Sequence, residues 1–207
     1  MTPKRLTRRE FLQAGTAVSL SAAATSLLSS VGCSAPVEKT AVVSIVRVKN
    51  DNIPNAVEEA IDLLGGIETV AAGKEQIMLK PNLVAESPTF TTKPEVIQTL
   101  ARLMQRSGKD VLIGEGSAAA GNFNVIGGET YHTSKPAILD EMQAFVYDRL
   151  GYTEMARSLS VPLVNLHTGE MVDVPVPNGL VYDQLTLHHS LAGIDLLCSV
   201  PVSYTHL

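Results

Sequence analysis

The run Gln76-Ile77-Met78-Leu79-Lys80-Pro81-Asn82-Leu83-Val84 decides the fold. Ile77, Met78 and Leu79 form a short unbroken apolar stretch, the pattern of a strand covered on both faces, as in parallel sheets. Pro81 has no N–H for the ladder and ends the strand. Lys80 and Asn82 are thereby delivered to its carboxyl end, the edge of open α/β sheets where ligands bind. A cation and an amide at that edge read as an anion-holding pair. The plainer reading is a solvated lysine and a turn asparagine.

Working outward, Ala41 to Val48 is dense in β-branched residues and reads as the first strand. Asn52 to Leu64 has helical spacing, with Ile53, Val57, Ala60, Ile61 and Leu64 on one stripe. Gly65-Gly66 stops it, and a less regular segment leads on to Gly73. Beyond Asn82, a loop from Ala85 to Thr91 precedes Thr92-Lys93-Pro94-Glu95, which has the Thr-x-x-Glu spacing of a capping box. The helix it opens runs to Gly108, and Asp110 to Gly114 is the next strand. A helix between two strands makes them parallel by the right-handed crossover rule. Glu115, Gly116 and Ser117 therefore fall on the same carboxyl edge as Lys80 and Asn82. The fold class that follows is α/β: a three-layer, mainly parallel Rossmann-like sheet, with helices on both faces and a small β extension.

The second half continues with a long, glycine-bearing loop from Ala118 to Ser134, the kind of segment that more often covers a ligand than not. Lys135 to Leu150 and Thr153 to Leu159 read as helices broken at Gly151, and Val161 to Leu166 as a strand before the turn His167-Thr168-Gly169. Glu170 to Pro175 and Val181 to Leu187 look like a hairpin or sheet extension. Leu191 to Val200 is apolar, a strand in its second half.

The first 33 residues are built differently. Lys4, Arg5, Arg8 and Arg9 precede a weakly apolar, Ser/Thr-rich run, the layout of an export signal. Thr7-Arg8-Arg9-Glu10-Phe11-Leu12 resembles the twin-arginine signal, which implies passage through the twin-arginine machinery. Ser30-Val31-Gly32-Cys33 reads as a lipoprotein site in which Cys33 is lipidated, although Ser30 stands where a large aliphatic residue is usual. The expected destination is the periplasm or the outer face of the cytoplasmic membrane, with cleavage near Val37 as the alternative to a lipid anchor. Residues 34–40 form a linker, and 41–201 the α/β domain. Residues 202–207 resemble a translated sequencing-library adapter, which makes the domain incomplete at its C-terminus.

The whole chain has 16 Lys+Arg against 21 Asp+Glu. The signal holds four of the bases and one of the acids, leaving 12 against 20 and a formal charge of −8. Nucleic acid is excluded as a partner by that balance. Cys33 and Cys198 are the two cysteines, so the mature domain has no disulfide framework.

Lys80, Asn82, Thr92 and Glu115 to Ser117 together suggest a site for a small anion. In a catalytic version Lys80 steadies developing negative charge and Glu115 exchanges a proton. In the alternative version the residues only hold a ligand, or Glu115 simply pairs with Lys80 across the strand tips. Gly114-Glu115-Gly116 lacks the third glycine of a dinucleotide fingerprint. Ser117 follows the glycines instead of sitting between them, so there is no nucleophile elbow. His188 and His189, as strand neighbours, point to opposite faces; His132 and His167 sit in loops without a spaced partner, and His206 is in the suspect tail. No metal site is expected.

Four motifs in order resemble the domain-of-unknown-function family 362: Leu79-Lys80-Pro81-Asn82-Leu83, Thr92-x-Pro94-Glu95-Val96, the strand end Gly114-Glu115-Gly116-Ser117, and Ile194-Asp195-Leu196-Leu197-Cys198-Ser199-Val200-Pro201. The resemblance spans about Ala41 to Pro201 and implies a fold more than an activity. Members of that family usually continue the last strand into a Lys-x-His segment, where this chain has its suspect tail. Some members carry ferredoxin-type iron-sulfur modules. The resemblance therefore implies, as an alternative function, a non-catalytic redox-accessory protein associated with iron-sulfur partners, the cluster ligands lying outside this sequence.

Overall fold

The computed structural model describes residues 41–202. Residues 42–202 belong to one compact unit. The export signal, the lipidation candidate Cys33, the linker 34–40 and residues 203–207 lie outside the described residues.

The stretch from Gln76 forms strand β1, Gln76–Pro81, with Ile77, Met78 and Leu79 fully buried. It is central. Asp110–Glu115 forms β2, Leu163–Asn165 a short strand β5 and Leu196–Val200 the last strand, β8. The sheet order is β5-β2-β1-β8, and every pairing is parallel. Gln76 pairs with Asp110, Ile77 with Leu196 and Ile113 with Leu163, so the four strands end together on one carboxyl edge. The expected three-layer α/β class on a mainly parallel sheet is the one observed.

Ile77, Leu79, Val111 and Ile113 share one face by the two-residue alternation of strands and join the main core. Helix α3, Pro94–Arg106, supplies Ile97, Ala101 and Met104 to it. Helices α4, Pro136–Arg149, and α5, Tyr152–Leu159, add Leu139, Met142, Val146, Tyr152 and Met155. Gly151 between them is left-handed (φ 79°), which breaks the helix where the sequence predicts.

The first helix, α1, spans Ile53–Asp62, with Asn52 accepting from the Asn55 N–H as its cap. A single helical turn, α2, occupies Ile67–Val70 in the segment read as irregular. The predicted first strand is absent: residues 41–48 pair with no strand among the described residues. The segment adds to neither outer edge of the four-stranded sheet, and Val42, Val43 and Ile45 stay 74, 77 and 90% exposed. β-Branched composition reports a fit to a pleated surface, which needs a partner to become a strand.

The 118–134 loop carries a small hairpin, β3, Val125–Ile126, and β4, Glu129–Thr130. Its two-residue turn, Gly127-Gly128, has φ of 63° and 87°, the pair of left-handed residues that a type I′ turn requires. The second antiparallel pair, β6, Met171–Pro175, and β7, Gln184–His188, is the predicted β extension. His188 and His189 do not point apart as strand neighbours would. The strand ends at His188 and a short helix, α6, His189–Ala192, starts at the next residue, so the alternation breaks and the two rings stack with centroids 4.6 Å apart. Among the described residues, no helix is long and apolar enough to cross a membrane.

Candidate functional site

Lys80 and Glu115 meet across the tips of β1 and β2. Lys80 Nζ donates to both carboxylate oxygens, at 2.9 and 3.0 Å. The Gly116 N–H donates to Oε1 at 2.7 Å and the Leu83 N–H to Oε2 at 3.3 Å. The Glu115 side chain is 7% exposed and that of Lys80 37%. A buried carboxylate is costly unless its oxygens are satisfied, and here each has two donors. Glu115 also acts on its neighbours. Burial first, then its negative charge, pushes the Tyr147 phenol well above the ordinary tyrosine range. Tyr152 is pushed up by burial, then by Tyr147 and Glu115.

Asn82 and Thr92 form a second group. The Asn82 N–H donates to Thr92 Oγ1 at 2.9 Å, and that hydroxyl donates to the Val200 carbonyl at 2.7 Å. The Thr92 N–H returns to the Asn82 carbonyl, and Tyr152 donates to the Thr92 carbonyl. Thr92 is thus a fastener for the ends of β1 and β8. It does not cap α3: Lys93 stands at the cap position, with no side-chain hydrogen bond. The capping-box reading fails because the hydroxyl is spent on the strand ends. The Asn82 amide donates to the Phe90 carbonyl, closing the 85–91 loop.

Ser117 lies just beyond β2 and is fully buried. Its N–H donates to Gln143 Oε1 at 2.7 Å. Ser117 Oγ and Gln143 Nε2 have no hydrogen-bond partner among the described residues. The amide cannot be turned to repair this, since Oε1 is needed to accept from Ser117. Ser117 lines a cavity of about 550 Å³, whose wall also includes Asn124, Thr130, His132, Ser134, Met142 and His167. Its lining contains no carboxylate and no lysine or arginine. Lys80, Asn82, Thr92, Glu115 and Gly116 are not part of that lining. The carboxyl edge therefore holds two adjoining arrangements: a packed polar fastening around Lys80, Glu115 and Thr92, and an open cavity beyond Ser117.

The cavity is built by the long loop. Asn124 accepts from the Ala120 N–H and donates to the Ala118 carbonyl, and Glu86 accepts from the Gly121 N–H. Phe123 packs on Phe145 of α4, ring centroids 5.5 Å apart. Gly116 has its own role here, because a Cβ on it would stand 3.1 to 3.2 Å from the His167 imidazole. Its bare backbone lets the ring approach until Nε2 lies 2.8 Å from the Ser117 carbonyl.

His167 was weighed from the sequence only as a metal ligand and set aside, and Gln143 was not singled out. His167 follows β5 by two residues, so the parallel-edge rule that placed Ser117 applies to it as well. Gln143 is four residues after Leu139 and three before Val146, a polar side chain on the buried stripe of α4. That position was a readable signal. Among the described residues, no group of three or more His, Cys, Asp or Glu is arranged to hold a metal ion. Burial raises the Cys198 thiol above its ordinary value, which makes it an inert occupant of β8.

Neither a curated protein nor a solved structure matches the chain. A family model described as "Domain of unknown function (DUF362)" matches residues 77–207, which takes in the whole carboxyl edge from β1 to β8. The parallel sheet, the four motifs along it and that match agree, and the chain belongs to the DUF362 family.

Proposed function

We propose that this DUF362 domain binds a small anionic ligand at the carboxyl edge of its sheet, in the cavity beyond Ser117. The observation that carries the proposal is Ser117, a residue of the cavity lining whose hydroxyl is fully buried and has no partner among the described residues. A buried hydroxyl left unsatisfied costs roughly 1–3 kcal/mol, which a ligand oxygen or a bound water would recover. The lining, with hydroxyls and imidazoles and no carboxylate, suits an acceptor-rich anion on a chain of net negative charge. Lys80 stands at the same edge with its charge balanced by Glu115, and their ion pair holds the strand tips in place. Binding is favoured over proton exchange by Glu115, whose oxygens are already engaged by four contacts.

Calorimetric titration of the full chain with inorganic phosphate, sulfate and small carboxylates tests the proposal. Ser117→Ala should weaken the ligand that binds by about tenfold or more, the worth of one hydrogen bond to a charged group. Unchanged affinity in that variant would rule out the cavity as the binding place.

The export reading is part of the same proposal. Arg8-Arg9 followed by Phe11-Leu12 supports a twin-arginine route, and Cys33 a lipid anchor on the outer face of the cytoplasmic membrane. Arg8→Lys with Arg9→Lys should retain the protein in the cytoplasm, and Cys33→Ala should move it from the membrane to the soluble exported fraction. Fractionation with no change in either variant would refute the route and the anchor respectively.

A further inference from the structure

The geometry around His167 narrows the class of anion, on the assumption that the cavity is the ligand site proposed above. The Ser117 carbonyl can only accept, so the nitrogen 2.8 Å from it, Nε2, carries a proton. In the neutral ring Nδ1 is then an acceptor. The residue is held at its ring and at its backbone. Gly116 leaves room for the ring face, the His167 backbone N–H donates to Asn165 Oδ1, and Asn165 Nδ2 donates to Asp140 Oδ1 at 2.8 Å. Thr168 donates to the same Asp140 oxygen. One loop residue is thus fixed by β5, α4 and the β2 end together, at a cavity wall open to solvent. A histidine whose tautomer is set by a partner at one nitrogen presents a defined hydrogen-bonding group at the other.

We infer that the cavity selects anions that carry a hydrogen-bond donor of their own, with His167 Nδ1 accepting from the ligand and Ser117 Oγ completing the contact. Hydrogen phosphate, hydroxy acids and amino acids belong to that class; sulfate does not. A site built to pair with a ligand O–H discriminates against the analogue without it, because its acceptor is left facing a lone pair. At a wall open to water the discrimination is modest, about tenfold.

Hydrogen phosphate and sulfate are the test pair, since they match in shape and charge at mildly alkaline pH and differ in one proton. The full chain, labelled with ¹⁵N in histidine, is titrated with each at a pH where the ring shifts show His167 to be neutral. The expected result is an Nε2–H tautomer and phosphate binding about tenfold tighter than sulfate. His167→Leu should bring the two affinities to parity, a ratio that a general loosening of the fold would not produce. Equal affinities in the wild type, an Nδ1–H tautomer, or a ratio unchanged in His167→Leu would each overturn the inference. Equal affinities combined with a loss in Ser117→Ala would remove the inference and leave the binding site standing. Binding of neither phosphate, sulfate nor any small carboxylate would remove both.

Discussion

Lys80 Nζ sits within 3.0 Å of both carboxylate oxygens of Glu115, one side chain 37% exposed and the other 7%. The two partners of this pair are therefore not equivalent. Glu115→Gln leaves an ammonium that can turn to water; the amide oxygen still accepts from one of the two backbone N–H groups, while the other, the longer Leu83 contact at 3.3 Å, loses its acceptor. Its expected cost is about 1–2 kcal/mol. Lys80→Met leaves a buried carboxylate held by two peptide N–H groups alone, at an expected cost of about 3 kcal/mol. Urea denaturation of the two variants checks the order, and a larger loss in Glu115→Gln would contradict it.

Thr92 predicts a second asymmetry. Its hydroxyl accepts from Asn82 and donates to Val200, fastening β1 to β8 from a position 6% exposed. Thr92→Val keeps the shape and removes the hydroxyl that serves the half-buried Asn82 N–H and the Val200 carbonyl, at about 2 kcal/mol. Tyr152→Phe removes one donor to the Thr92 carbonyl and should cost about 1 kcal/mol. Because both act on one network, the double variant should lose less than the sum of the two, measured as a double-mutant cycle. Strict additivity would show that the two contacts are independent.

Strands with two buried faces announce themselves by composition, and β1 and β2 were legible for that reason. Their pairing followed from the helix between them, which is why Lys80, Glu115 and Ser117 were placed on one edge before any coordinates. Residues 41–48 misled because composition reports what a strand would need, while a ladder also requires a partner, and the segment pairs with neither edge of the sheet. Thr92 misled for a related reason: a Thr-x-x-Glu spacing is local, and the hydroxyl answered to Val200, 108 residues away. The cavity was invisible because its wall is assembled from β2, α4, β5 and the long loop, and no local spacing encodes that convergence.

Ser117 separates a binding role from a structural one. If its hydroxyl is kept for a ligand, Ser117→Ala removes an unsatisfied buried group from the free protein. Stability should then be unchanged or higher by up to about 1 kcal/mol, while affinity for the anion falls. A hydroxyl serving the fold would give the opposite pattern, with lost stability and retained affinity. Thermal unfolding with and without phosphate distinguishes them, since ligand stabilisation follows mass action in the wild type and should be reduced in the variant.

Asp195 carries the pH prediction. It lies just ahead of β8, and its Oδ2 accepts from the backbone N–H groups of Gln76 and Glu75, both at 3.0 Å, pinning the start of β1. The Gln76 N–H, then the Glu75 N–H, with a smaller contribution from Lys74, hold its carboxyl below the ordinary value of 3.8. A depressed folded-state value means that the unfolded chain takes up the proton first as pH falls. The contribution of Asp195 is therefore complete well above pH 3.8, starts to fall as the pH drops toward that value, and is gone below the lowered folded-state value. Asp195→Asn keeps an oxygen for the two N–H groups and removes the charge. The variant should be less stable than the wild type at neutral pH by a constant margin that closes only in acid. Urea midpoints taken from about pH 7 down to about pH 2 measure that margin. A gap that persists unchanged at the acid end would show that the side chain acts by shape alone, without its charge.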